Sequence, residues 1–93
     1  MNPMIQKNHL LRICDSKGSY ELVLNHRVSL KKLIDIFKKE GIEVIDGRIL
    51  LIVKKSGIEF IIYESGRVII KTREESKATA ISNYLIDATD LII

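Results

Sequence analysis

The stretch EFIIYESGRVIIK, residues 59–71, decides how this chain folds. Two runs rich in β-branched and aromatic residues flank ESG, a turn-forming cluster, and this pattern predicts a β-hairpin. Both faces of that hairpin carry large apolar side chains, which is unusual for a sheet with one side in water. The register of the hairpin therefore determines which face belongs to the core.

The length of the loop sets that register. A two-residue loop of Ser65 and Gly66 would pair Glu64 with Arg67. A three-residue loop, with Gly66 in the left-handed bulge position, would pair Tyr63 with Arg67 instead. The choice matters because a one-residue slip moves every side chain of a strand to the other face.

The cross-strand pairs favour the three-residue loop. It sets Glu59 opposite Lys71, an ion pair, and Ile61 opposite Ile69, an aliphatic pair. It also gives the second face four uncharged apolar residues: Phe60, Ile62, Val68 and Ile70. We predict that this uncharged face packs beneath helices, and that the face with Ile61 and Ile69 at its centre lies open.

Two helices are available to cover the uncharged face. The first follows Ser29, a good N-cap, and ends before Gly41, which suits the left-handed position after a helix. Its predicted buried stripe is Leu30, Leu33, Ile34 and Phe37. Its lysines are interpreted as a solvated face: Lys31, Lys32, Lys38 and Lys39.

The second helix is predicted to begin near Thr72, because Thr72 and Glu75 have the spacing of a capping box. Its apolar residues keep the spacing of one helical stripe: Ala78, Ile81, Leu85, Ala88 and Ile92. Both helices are therefore amphipathic, as expected for helices that lie on a sheet.

The remaining segments read as strands. HLLRIC and SYELVLN flank DSKG and predict a first hairpin, and IEVID and RILLIVK precede the hairpin quoted above. The order β(β)-α-β-β-β-β-α predicts an α+β fold, a curved antiparallel sheet of about five or six strands with both helices on one face. Residues 1–93 are taken as one domain, with a loose tail at 1–7 and a core at 19–88.

Composition narrows the class of protein. The net charge of +3 permits an anionic partner without requiring one. No apolar run approaches the roughly 18 residues of a membrane span, and the start lacks the apolar region of a signal peptide. Cys14 is the only cysteine, so no internal disulfide can form, and a cytoplasmic location is expected.

No catalytic or metal-binding pattern is present in the sequence. His9 and His26 are isolated, without partners at metal-ligand spacing. DSKG and KKSG lack the pattern of a phosphate-binding loop, and no nucleophile has an evident base. Cys14 lies in an apolar strand and is interpreted as a small buried hydrophobe. We therefore expect a protein that is not an enzyme and has no cofactor or metal.

The strand before the hairpin adds to both faces of the sheet. Alternation places Ile49, Leu51 and Val53 on one face and Leu50 and Ile52 on the other. So much apolar surface on a face without a helix predicts that something covers it. Three covers remain open: a second copy of the chain, the chain's own N-terminal tail or final LII, and a nucleic acid.

The stretch GIEFIIYESGRVIIKT, followed by a capped helix, resembles one half-repeat of the TATA-box-binding protein family. It is at least as similar to the small N-terminal substrate-binding domain of bacterial type III ribonuclease H, which has the same half-repeat fold. The resemblance rests on an apolar strand ending in Tyr63, then Ser65, Gly66 and Arg67, then a second apolar strand. It implies that the concave sheet face binds the minor groove of DNA or an RNA–DNA hybrid.

The resemblance also implies site residues. The positions that wedge into base steps fall on Ile49 and Tyr63, where the family has Phe. The positions that line the groove fall on Leu51, Val53, Ile61, Ser65 and Ile69. The basic or polar positions fall on Lys55, Arg67 and Lys71. Two acidic residues, Glu21 and Glu59, come to the same face, and the chain holds one half-repeat where the TATA-box-binding protein has two.

Two functions follow as expectations. The first is a non-catalytic module that binds double-stranded nucleic acid, DNA or an RNA–DNA hybrid, through its open sheet face. The alternative is a homodimerising structural or protein-interaction module whose apolar sheet face is the interface. Tyr63 and Arg67 fit either, because they form a plain cross-strand pair or stack on a sugar and contact a phosphate.

Overall fold

The structure is a computed structural model that describes residues 10–13, 18–24 and 26–90, with side-chain burial from residue 18 onward. The described elements are β1 (Leu10–Ile13), β2 (Tyr20–Val23), α1 (Leu30–Lys39), β3 (Glu43–Asp46), β4 (Leu50–Lys55), β5 (Ile58–Tyr63), β6 (Arg67–Lys71) and α2 (Glu75–Asp90). The six strands form one sheet in the order β1-β2-β6-β5-β4-β3, and every neighbouring pair is antiparallel. The predicted α+β fold is confirmed.

The hairpin has the three-residue loop. Phe60 pairs with Ile70, and Ile61 pairs with Ile69. Gly66 has a φ of 101°, and its N–H donates to the carbonyl of Tyr63 at 2.9 Å. This φ favours glycine, since a side chain there meets the backbone. The predicted register is confirmed.

One hydrophobic core joins the uncharged face of the hairpin to both helices. The four hairpin residues, Phe60, Ile62, Val68 and Ile70, are at most 1% exposed. The same core contains Leu33 and Phe37 of α1 and Ile81 and Leu85 of α2. Both helices therefore cover one face of the sheet, and no described helix lies on the other. Neither described helix is long and apolar enough to cross a membrane.

The two helices begin differently from each other. In α1 the prediction is confirmed: the hydroxyl of Ser29 accepts a hydrogen bond from the Lys32 N–H at 3.3 Å, and Gly41 has a φ of 72°. In α2 the predicted capping box is wrong, because the helix begins at Glu75. The Thr72 hydroxyl instead accepts from the Glu74 N–H at 3.2 Å, in a turn that precedes the helix.

The buried side of α2 contains two hydroxyl groups that an apolar stripe does not reveal. Ser82 and Thr89 are at most 1% exposed. The Ser82 hydroxyl donates to the Ala78 carbonyl at 2.8 Å, and the Thr89 hydroxyl donates to the Ile86 carbonyl at 3.1 Å. Each of these two hydroxyls donates to a carbonyl of its own helix, so burial leaves neither donor unpaired.

Three features predicted from the sequence lie outside the described residues: the tail at 1–7, Cys14 and Ile92.

Candidate functional site

The open face of the sheet is built from three rows of side chains that run across the strands. The central row, here the isoleucine row, pairs Ile45 of β3 with Ile52 of β4, then Ile61 of β5, then Ile69 of β6. The row continues with Glu21 of β2, opposite Ile69, and ends at Arg12 of β1, opposite Glu21. Ile45 is 57% exposed and the other three isoleucines are partly exposed. A continuous aliphatic strip therefore crosses four strands.

A row of alternating charges lies beside the isoleucine row. The charge row pairs Glu43 with Lys54, Lys54 with Glu59, and Glu59 with Lys71. The Lys71 ammonium lies 3.4 Å from the Glu59 carboxylate, as predicted from the hairpin register. Neighbouring strands thus present opposite signs along the whole row, an arrangement that stabilises a sheet surface.

The third row, here the aromatic row, lies on the other side of the isoleucines. It contains Leu50 opposite Tyr63, and Val23 opposite Arg67. The Arg67 guanidinium lies 5.9 Å from the centre of the Tyr63 ring. The same guanidinium donates to the carboxylate of Glu21, whose side chain is 10% exposed. Arg67 is therefore held against the sheet by a ring and by a nearly buried acid.

Leu51 and Val53 do not belong to the open face, although the resemblance assigned them there. Leu51 pairs with Ile62 and Val53 pairs with Phe60, so both point toward the helices. Both side chains are completely buried in the core. The assignment of these two residues to a groove was wrong, because no ligand of the open face can reach them.

Lys55 also lies on the helix side. It pairs with the buried Ile58, and its ammonium lies 4.8 Å from the centre of the Tyr84 ring. Tyr84 stacks on Phe37 at a centroid distance of 6.2 Å, and its hydroxyl donates to the Glu40 carboxylate. The pKa of the Tyr84 phenol is raised, mainly because the phenol is partly buried. The hydrogen bond to Glu40 and the negative charge of Glu40 raise it further. Lys55 therefore lies on the helix side of the sheet, so its assignment to the binding face was wrong.

Ile49 and Ser65 lie together at one end of the sheet. Ile49 directly precedes β4 and is 68% exposed, while Ser65 is an exposed residue of the hairpin loop. The Glu64 N–H donates to the Ile49 carbonyl at 3.4 Å, which brings the two loops into contact. Of the predicted site residues, the structure thus gathers Tyr63 and Arg67 near this end, and Ile61 and Ile69 at the centre.

Acidic and basic residues are nearly equal in number on the open face. By strand register, the described residues place three acidic residues there, Glu21, Glu43 and Glu59, and four basic residues, Arg12, Lys54, Arg67 and Lys71. Sequence reasoning missed Glu43, Lys54 and Ile45, because their place depends on which residues of β3 and β4 pair. Within the described part of the chain, no group of three His, Cys, Asp or Glu side chains is placed to hold a metal ion.

The bond between Arg67 and Glu21 leads to a stability prediction. Arg67→Ala should lower the free energy of unfolding by about 1–3 kcal/mol, since it removes a cation from a nearly buried carboxylate. Lys71→Ala, the matched control, breaks an ion pair whose two side chains are 53% and 39% exposed, and should cost below about 1 kcal/mol. Urea unfolding at neutral pH compares them, and equal losses would contradict a special role for Glu21.

No protein-family model matches the chain, and comparisons with curated proteins and with solved structures also found no match. The similarity to the half-repeat of the TATA-box-binding protein therefore stays a prediction from the sequence.

Proposed function

We propose that this chain is a non-catalytic interaction module that forms a homodimer through its open sheet face. The observation that carries the proposal is the isoleucine row, a partly exposed aliphatic strip on a face that no described helix covers. Soluble monomers rarely leave a contiguous strip of this kind in water, because apolar surface gains free energy when it leaves water.

The ion pairs on the open face favour a protein surface over a nucleic acid as the cover. Binding to a duplex draws its affinity from cations that neutralise phosphates. On this face the Arg67 guanidinium binds Glu21, and Lys71 binds Glu59. A phosphate would have to compete with those carboxylates, whereas a second sheet face brings both signs of its own.

The size of the face sets the expected strength. Four strands at a spacing of about 4.8 Å give a strip roughly 19 Å wide. Three rows of side chains extend the strip to a similar length along the strands. Each copy therefore offers about half of the roughly 800 Å² that one partner contributes to a standard interface. We therefore expect a reversible dimer with a dissociation constant in roughly the micromolar range.

Sedimentation velocity over a range of protein concentrations tests the proposal. The wild type should shift from monomer to dimer as concentration rises. Ile45→Lys should stay monomeric, since it places a charge in the aliphatic strip at a position that is already exposed in the monomer. Asn83→Lys adds the same charge on the exposed side of α2 and should dimerise like the wild type.

Two results would overturn the proposal. One is a wild type that remains monomeric at high micromolar concentration, which would leave the chain's own terminal segments or a nucleic acid as the cover. The other is retention of duplex DNA or an RNA–DNA hybrid that weakens between about 50 and 200 mM salt and disappears in Arg67→Ala plus Lys71→Ala. That outcome would favour the nucleic-acid function.

A further inference from the structure

We infer that the charge row fixes how the two copies meet. This inference rests on the proposed function, and it names the symmetry of the dimer. The two sheets pack face to face, and the two-fold axis runs parallel to the strands, between β4 and β5. Lys54 then faces the partner's Glu59, and Glu43 faces the partner's Lys71.

The order of signs in the charge row makes the face complementary to itself. From β3 to β6 the row reads Glu43, Lys54, Glu59, Lys71. A two-fold axis at the midpoint reverses this order, and the reversed row has the opposite sign at every place. A two-fold interface requires a patch that complements itself, and this row meets that requirement.

The isoleucine row and the aromatic row fit the same axis. Ile52 meets the partner's Ile61, and Ile45 meets the partner's Ile69, so all four isoleucines of each copy are covered. Leu50 meets the partner's Tyr63, an aliphatic side chain against a ring. Two sheets packed face to face with nearly aligned strands interdigitate their side chains in this way.

The surface contains a depression that suits this packing. A shallow hollow of about 110 Å³ lies over β3, β4 and β5, and its lining includes Ile45, Ile52 and Lys54. The proposed axis places β5 and β6 of the second copy over the hollow. The partner's Ile69, opposite Ile45, is the aliphatic side chain positioned to fill it.

Other two-fold axes parallel to the sheet bring unfavourable pairs together or leave part of the isoleucine row uncovered. An axis along the isoleucine row sets Lys71 against the partner's Arg67, and an axis along β5 sets Glu59 against the partner's Glu59. An axis between β5 and β6 sets Ile52 against the partner's Glu21. An axis between β3 and β4 leaves Ile61 uncovered. Facing like charges, a carboxylate against an aliphatic side chain and an uncovered isoleucine are each unfavourable, so the axis between β4 and β5 is preferred.

Charge reversal tests the inference. An acidic-row variant carries Lys54→Glu and Lys71→Glu, and a basic-row variant carries Glu43→Lys and Glu59→Lys. Each alone should dimerise at least about ten-fold more weakly than the wild type, because like charges face each other at every place. An equimolar mixture should form a heterodimer about as tight as the wild-type dimer, which also demonstrates that both variants fold.

A third variant tests the position of the axis without changing the net charge. Lys54→Glu plus Glu59→Lys exchanges the two central charges, so each still faces its opposite across an axis between β4 and β5. This variant should dimerise as the wild type does. An axis between β5 and β6 would instead set two lysines against each other and weaken the dimer.

The results separate this inference from the proposed function. A monomeric wild type would remove both. A wild type that dimerises, together with charge-row variants that each dimerise equally well alone, would leave the homodimer standing and overturn the assigned axis. Loss of dimerisation in the exchange variant alone would also overturn it. Circular dichroism of each variant at the lowest concentration verifies that the monomers are folded.

Discussion

Gly66→Ala is expected to lower the free energy of unfolding by about 3 kcal/mol or more, and the melting temperature by more than about 10 °C. Gly66 has a φ of 101°, which L side chains rarely adopt. A β-carbon at this position would also lie 2.3 Å from the carbonyl oxygen of His26 and 3.3 Å from that of Leu24. The strain of the backbone and the clash add to each other.

The surrounding backbone cannot easily move away from such a methyl group. The Leu24 N–H donates to the Gly66 carbonyl at 2.9 Å, and the Val28 N–H donates to the Glu64 carbonyl at 3.0 Å. These bonds hold the hairpin loop against the segment between β2 and α1. Relief of the clash would lengthen at least one of them and expose backbone groups that are now paired.

Gly57→Ala is the matched control. Gly57 also has a positive φ, 78°, but nothing lies within 4 Å of a β-carbon built on it. The control should lose about 1–2 kcal/mol, the cost of the left-handed backbone alone. Urea unfolding of both variants gives the two losses. If the two losses are equal, the close approach of the His26 carbonyl to Gly66 does not contribute to the loss of stability.

Phe60→Ala should cost about 3–5 kcal/mol, because Phe60 is completely buried and its loss leaves a cavity beneath the helices. That is a large fraction of the roughly 5–15 kcal/mol by which domains are stable. Ile61→Ala, one residue later on the opposite face, should cost below about 2 kcal/mol in the monomer, since Ile61 already contacts water.

The comparison between neighbouring positions tests which face of β5 belongs to the core. Denaturant unfolding is measured at protein concentrations low enough for monomers, and the dimer is measured separately by sedimentation. Phe60→Ala should weaken folding, while Ile61→Ala should mainly weaken dimerisation. A larger loss of stability for Ile61→Ala than for Phe60→Ala would contradict the assignment of the two faces.

Local pattern was enough to define the hairpin and α1. The register of β5 and β6 followed from residues close in the chain, because only a three-residue loop sets Glu59 opposite Lys71 and keeps charge off the face of Phe60. The stripe of α1 and its end at Gly41 likewise follow from helical spacing and from the φ that only glycine adopts freely. In the hairpin and in α1, the residues that determine the structure lie close to one another in the sequence.

Contacts between distant segments decided the site. Alternation put Leu51 and Val53 on one face, but only the pairing of β4 with β5 selected the helix face. Arg67 meets Glu21 across 46 positions of sequence, so its charge is balanced by a residue that no local pattern connects to it. The pairing of β3 with β4 placed Glu43 and Ile45 at the edge of the open face. The sequence determined which side chains alternate, and strand pairing in three dimensions determined which of them share a surface, because cross-strand neighbours are set by hydrogen bonds between segments far apart in the chain.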